Sequence, residues 1–198
     1  MANYTLTTPF GEKTMRSLHI RDLVWINGHI FGMRDRTLIH IFDEGHEPPV
    51  DLNGFPVIHT APSLKKVGDK WEKIIIGTTT STRMERFSPP LMEKYGVRAI
   101  IGKGGLYHGS LYAMQNFGDC YLAIVGGAAA VETIQIEEVE DVYWPELHPE
   151  AIYKFRVKDF GPLTVAMDSH GKSLYDEVRK EVQKRLPEIY SKLGIKAA

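Results

Sequence analysis

Three short stretches combine residue types and spacing that could do chemistry. In GTTTSTRME, Gly77 to Glu85, a strand-like run leads into a helical pattern, and Thr82 with Glu85 has the Ser/Thr-x-x-Asp/Glu spacing of a helix cap. A helix start there would gather Thr79, Thr80 and Thr82 hydroxyls around unpaired backbone N–H groups. Those donors and the positive end of the helix attract a carboxylate or phosphate, and Arg83 could add a two-pronged hydrogen bond. A Thr-rich turn that only caps its helix has the same pattern.

The second stretch is IGKGG, Ile101 to Gly105, where Lys103 stands between glycines at the end of a strand-like run. Ligands of open α/β sheets collect at such ends. It is not a Walker A loop, because Val97 and Gly104 occupy the places of the required Gly and Ser/Thr, and Tyr107 replaces the third glycine of a dinucleotide fingerprint. A tight turn with a solvated lysine is the alternative. The third stretch is Arg34-Asp35. It reads either as a surface ion pair or, with Arg83 and Lys103, as part of a cation cluster around a dicarboxylate.

Other candidates are weaker. His40, Asp43 and His46 offer ligand types in a spacing that matches no standard metal site. His108 follows a Gly pair, as a phosphate-accepting histidine can, and His170 in DSHGKS fits a turn before the last helix. Cys120, inside CYLAIV, fits a buried core thiol.

The elements that must position these residues follow from the pattern. Asn27-Gly28 between apolar runs predicts a hairpin over residues 21–33. A short helix is expected over Arg34 to Phe42, then strands at Pro56 to Thr60 and Trp71 to Ile76. Strand and helix then alternate: a helix over Thr82 to Tyr95, a strand over Arg98 to Ile101, a helix over Ser110 to Phe117, a strand over Tyr121 to Val125, and the small-residue stretch AAAVE. Such alternation marks βαβ units and a parallel sheet. Strand character returns over 132–143 and 152–168. A last helix starts near Ser173, capped by Ser173 and Asp176, with Leu174, Val178, Val182, Ile189 and Leu193 as its buried stripe and Pro187 as a break. The reading is one α/β domain over residues 1–198, with a β-rich first third and an alternating strand-helix middle.

Bulk properties narrow the function. The chain has 198 residues, 43% hydrophobic and 25% charged, with Lys+Arg 24 against Asp+Glu 25. That is ordinary globular composition with no excess positive charge for a nucleic acid. The longest nearly uncharged apolar run, Tyr121 to Val131, falls well short of the ~20 residues needed to cross a bilayer, and no secretory signal is evident, so a cytoplasmic location is expected. One cysteine excludes an internal disulfide and a cysteine-only metal centre.

Together, Arg34-Asp35, DLNG at Asp51 to Gly54, HTAP at His59 to Pro62, GDKWE, GTTTSTRM, GKGG, KDFGPL at Lys158 to Leu163 and DSHG give the chain a family likeness nearly end to end. It resembles the β subunit, or C-terminal domain, of class I (iron-sulfur) fumarate hydratases and the related L-tartrate dehydratases. The resemblance implies a swivelling β/β/α domain and a hydro-lyase that interconverts fumarate and (S)-malate or, alternatively, dehydrates L(+)-tartrate to oxaloacetate. It implies that a 4Fe-4S cluster is held by three cysteines of a partner α subunit, in an α2β2 hetero-oligomer. Substrate-binding residues carry over by motif to Arg34, Thr79, Thr80, Arg83 and Lys103, with Thr79 as the proton-transfer hydroxyl and Lys103 beside it in catalysis. Asp35 is followed by Arg36, Thr37 and Leu38, where the family often has two small residues and a His. A non-catalytic anion-binding or phosphohistidine carrier domain is the different class of answer.

Overall fold

The computed structural model describes residues 1–127 and 129–195. Nine strands form a mixed sheet: β1 (Asn3–Thr7), β2 (Leu23–Met33), β3 (Pro56–His59), β4 (Ser63–Val67), β5 (Lys70–Ile75), β6 (Ala99–Gly102), β7 (Cys120–Ala123), β8 (Ile136–Tyr143) and β9 (Ile152–Met167). Their order is β1-β2-β3-β6-β7-β9-β8-β5-β4, and β9 also pairs with β2. That extra pairing closes β2, β3, β6, β7 and β9 into a ring. β1, β2, β3, β6 and β7 run parallel, whereas β9 is antiparallel to β2, β7 and β8.

The helices are α1 (Glu12–Arg16), α2 (Asp35–Phe42), α3 (Ser88–Tyr95), α4 (His108–Phe117), α5 (Ala129–Gln135) and α6 (Leu174–Leu193), with 3-10 turns at Ser81–Phe87 and Pro145–Leu147. Neighbouring residues of the parallel strands serve two cores. Ile30, Ile58, Ile101 and Leu122 pack with Val24, Phe155 and Phe160. Phe31, Val57, Ile100 and Tyr121 pack with Leu38, Leu91 and Met114 of α2, α3 and α4. Strands buried on both faces need apolar residues at successive positions, which explains why these segments read as continuous apolar runs rather than alternating ones. The mixed α/β class is as expected, and no helix among the described residues is long and apolar enough to cross a membrane.

Several local expectations need correction. Asn27-Gly28 makes no hairpin: β2 runs through it, pairing with β1 on one side and β9 on the other. Gly28 takes φ 102° where the β2–β9 register shifts, and the Asn27 Oδ1 accepts the Asp159 N–H at 2.8 Å. The positive φ that could have made a turn makes a bulge instead. The stretch after GTTT is a 3-10 helix before α3 rather than one α-helix from Thr82. Residues 132–135 are helical, so the strand begins only at Ile136. Ala128, first residue of the AAAVE stretch, lies outside the described residues.

α6 starts as expected, with the Ser173 hydroxyl accepting the Asp176 N–H. It runs through Pro187, however, and its stripe is not buried: Val178 is 63% and Leu193 66% exposed. Amphipathic spacing shows which side is apolar, but burial needs a surface packed against that side.

Candidate functional site

The parallel strands bring the chemically equipped loops together because their C-terminal ends lie on the same side of the sheet. Arg34 follows β2, His59 ends β3, Lys103 follows β6, and Gly126 lies in the loop after β7. The Thr-rich loop is pinned among them. Thr78 bridges to Thr60, the Thr79 N–H donates to the His59 carbonyl at 2.8 Å, Thr80 bridges to Lys103, and the Ser81 N–H donates to the Lys103 carbonyl at 2.8 Å. Main-chain bonds therefore hold Thr79, Thr80 and Lys103 in register.

Asp35, in the first turn of α2, organises the arginines. Arg83 donates to it from Nε at 3.1 Å and from Nη2 at 3.0 Å, and Arg34 donates from Nε at 3.0 Å. Burial works to raise the Asp35 carboxyl, but hydrogen bonds from Arg83 and Arg34 prevail and hold it below the usual carboxylate range. The bond with Asp35 in turn raises Arg83. Glu150, between the second 3-10 turn and β9, lies 3.3 Å from Arg34 Nε and accepts the Arg36 N–H at 2.6 Å. It thereby serves the start of α2, where Arg34 at the N-cap makes no side-chain capping bond. The Arg83 Nη2 also donates to the Thr79 hydroxyl at 3.2 Å. A guanidinium on that oxygen favours a hydroxyl that is losing its proton. The arginines are thus partly neutralised, rather than forming a bare cation cluster.

Beneath this corner lies a buried polar chain that the sequence motifs do not reveal. The Gly105 N–H donates to Tyr121 Oη at 3.3 Å, Tyr121 Oη donates to Ser81 Oγ at 3.0 Å, and Ser81 Oγ stands 2.9 Å from His59 Nδ1. That order leaves the Ser81 proton for Nδ1, so the neutral ring carries its own proton on Nε2, an atom with no partner among the described residues. Burial pushes His59 down to about 3; Asp35 opposes this, while Arg83 and Arg34 add to it. Burial likewise raises Tyr121. The chain ties the Thr-rich and Gly-rich loops to the end of β3. HTAP and the serine inside GTTTST held the signal, but their connection across 22 residues is tertiary.

Thr82 and Glu85 do not cap their own helix. Thr82 Oγ1 reaches the Gly105 carbonyl at 3.5 Å. Glu85 accepts from Tyr107 N at 2.8 Å, Ser110 N at 2.9 Å and Ser110 Oγ at 2.7 Å. The carboxylate caps α4, a helix distant in sequence, which local spacing could not reveal.

The remaining candidates fall elsewhere. Asp43 pairs with Arg86, so the metal-type group is His40, Glu44 and His46, with ligand atoms within 4.8 Å of one another. Both Glu44 oxygens already accept from Arg36, and the two His rings stack at 3.9 Å. Arg36 first, then His40, holds Glu44 at about 2, so a metal would have to displace a cation already seated there. His108 is 77% exposed, 3.8 Å from Asp176. His170 lies in the turn before α6, its Nε2 at 2.9 Å from the Arg16 carbonyl, and the bonds within that turn go to Asp168 Oδ1, which accepts the His170 and Lys172 N–H groups at 3.0 Å each. Cys120 is fully buried, and burial raises its thiol.

Comparison with known proteins shows the family. The Fumarase C-terminus family model matches residues 2–178. The chain is 39% identical over 183 residues to the "Putative L(+)-tartrate dehydratase subunit beta" of Methanocaldococcus jannaschii, covering 90% of this chain and 94% of the relative. It is 35% identical over 189 residues to the "L(+)-tartrate dehydratase subunit beta" of Escherichia coli K12, covering 95% and 94%. It is 41% identical over 187 residues to the "Putative fumarate hydratase class I" of Geobacillus stearothermophilus, covering 93% of this chain but 36% of that longer relative.

Proposed function

We propose, since this chain belongs to the Fumarase C-terminus family, that it is the β subunit of a two-subunit hydro-lyase that adds water reversibly to fumarate to give (S)-malate. The observation that carries this reading is that Arg83 donates to the Thr79 hydroxyl while sharing Asp35 with Arg34, and that the backbone of Lys103 bridges to Thr80 next to it, all at the ends of parallel strands. Removing a proton next to a carboxylate pushes charge onto that carboxylate, so cations already in place stabilise the transition state more than the ground state. Arg83 keeps Nη1 for substrate while Nε and Nη2 hold Asp35, and among the described residues the Lys103 ammonium has no hydrogen-bond or ion-pair partner, its main chain being bonded to Ser81. Thr79, with Arg83 on its oxygen, is the group for proton transfer. Thr80 lines the same edge through its bridge to Lys103.

The family resemblance implies a 4Fe-4S cluster, and this chain's residues do not fit one. Its single cysteine is buried and its Sγ faces the Met15 carbonyl at 3.6 Å. The cluster therefore belongs to our proposed α partner, in an α2β2 assembly in the cytoplasm. The β-subunit names of two relatives, and the longer single chain of the third, support a partner polypeptide. The tartrate dehydratase names favour L(+)-tartrate as the second reading of the substrate.

The test is anaerobic co-expression with the α partner, followed by assays on fumarate, malate and both tartrates. The complex is expected to turn over and the isolated chain to be colourless and inactive. Turnover preferring L(+)-tartrate would select the second reading, and hydratase activity with a stoichiometric cluster in the isolated chain would overturn the division of labour.

A further inference from the structure

Glu132 on α5 is 3% exposed, and among the described residues neither of its carboxyl oxygens has a hydrogen-bond partner. Leaving a buried carboxyl unpaired is costly, so its surroundings call for a reason. The rest of the helix is tied down by neutral contacts: the Ile76 N–H donates to Thr133 Oγ1 at 2.8 Å, and the Gln135 side chain pairs with Gly161 N and O at 3.2 and 2.6 Å. Charges on the adjacent strands act on one another, Lys73 with Glu137 and Arg156 with Glu137 and Glu138. What opposes the burial of Glu132 is first the Thr78 backbone, as a hydrogen-bonding group, and then the charge of Lys103.

Lys103 is laid toward this helix. A Cβ built on Gly126, in the loop leading to α5, would stand 3.0 Å from Lys103 Cδ and 3.7 Å from its Nζ, so the lysine stem passes over a glycine that leaves room for it. Its main chain is meanwhile fixed by Thr80 and Ser81. The backbone of Lys103 is held by Thr80 and Ser81, its stem lies against Gly126 in the loop leading to α5, and its charge acts on the buried Glu132 carboxyl, which the Thr78 backbone also faces.

We propose that Glu132 is a positioning residue for Lys103, drawing the ammonium across Gly126 and fixing where the lysine presents its charge at the strand ends. Only the consequence for substrate rests on the hydro-lyase reading; the proposed coupling of Glu132 and Lys103 concerns this chain alone. Burial raises Glu132 to about 7, against the opposing pull of the Thr78 backbone and Lys103, so its ionisation can be followed under mild conditions.

The full chain, its lysines reductively dimethylated with 13C, reports on the pair by NMR. The Lys103 signal is identified by its loss in Lys103→Arg. In the parent it is expected to shift with a midpoint near pH 7, as Glu132 ionises. In Glu132→Gln, which keeps the side-chain shape, that shift is expected to vanish. A Lys103 signal in the parent that stays flat from pH 5 to 9 would overturn the pairing, as would an unchanged shift in Glu132→Gln. Should Glu132→Gln fail to fold, the parent titration and Glu132→Asp decide, the latter keeping a smaller shift.

In the assembled enzyme, Glu132→Gln should raise KM for the dicarboxylate about tenfold, the scale of coupling between contacting charged residues, with kcat within about threefold. A structural role would lower thermal stability and leave both KM and the Lys103 signal alone, and an unchanged KM would overturn the positioning role. An inactive parent complex would instead sink the hydro-lyase reading, with the NMR titration still deciding for or against the Glu132–Lys103 pair.

Discussion

Two charge networks in this molecule look alike by composition and differ in what they leave over. On the strand faces, Glu140 of β8 meets His29 Nε2 and Lys154 Nζ at 3.0 Å each, and Arg156 reaches Glu137, Glu138 and Glu140 at 2.6, 2.8 and 3.4 Å. The pairs follow from register, since Arg156 of β9 stands opposite His29 of β2 and Glu138 of β8. At the strand ends, Arg34 and Arg83 share Asp35, while among the described residues the Lys103 ammonium, His59 Nε2 and the carboxyl oxygens of Glu132 on the neighbouring α5 lack hydrogen-bond partners. The first network spends its donors on its neighbours; the second keeps some in reserve. Unspent polar capacity held in fixed geometry, rather than the number of charges, marks the place where a ligand fits.

The hydroxyl gives the sharpest test of that contrast. Thr79→Val keeps the branched shape and should lower kcat of the assembled enzyme by roughly 10² to 10⁴, the span for a positioned acid-base group. Exchange of the substrate C3 hydrogen with solvent deuterium reads the same step directly. Exchange as fast as in the parent would move the base to the partner subunit.

Arg83→Lys comes next. An ammonium cannot hold both Asp35 oxygens and Thr79 together, so kcat/KM should fall by ~2 to 4 kcal/mol equivalent. Kinetics close to the parent would leave Arg83 as a surface partner of Asp35, no different in kind from Arg156.

His59 tests the floor of the site without reference to turnover. Its folded value, about 3, lies below the ordinary histidine value of 6.5. The unfolded chain therefore binds a proton that the folded chain refuses between those limits. The stabilisation is complete above pH 6.5 and is lost as pH falls toward 3, at about 1.4 kcal/mol per pH unit from this residue. In denaturant unfolding of the isolated chain at a series of pH values, the parent should lose stability relative to His59→Gln with that slope as pH falls below 6.5, a difference that sets aside the opposite contribution of Glu132 and Asp119, both raised to about 7. An unaltered slope in the variant would assign the acid sensitivity elsewhere.

The smallest effect is expected in the satisfied network. Arg156 is 42% exposed in its side chain, and Arg156→Gln should cost under ~1 kcal/mol in stability and leave kcat/KM unchanged. A large loss of activity there would break the distinction between the two networks.

Sequence by itself determined the α/β class, because apolar runs alternating with helical spacing have few ways to be buried, and it supplied the words GTTTSTR, GKGG and Arg34-Asp35 that mark the strand ends. It also placed Ser173 at the start of α6, since a cap bonds a neighbour three residues on. What spans long separations only the tertiary structure decided. Asn27-Gly28 became a bulge because β9 lies alongside β2, Glu85 turned to cap α4, and Val178 and Leu193 stayed exposed because nothing among the described residues covers them. Asp35 joined two arginines 49 positions apart, and His59 met Ser81 and Tyr121 beneath the loops. Local spacing encodes only bonds made within a turn or two of chain, whereas the partners of a buried or shared charge are chosen by whichever strands the sheet sets side by side.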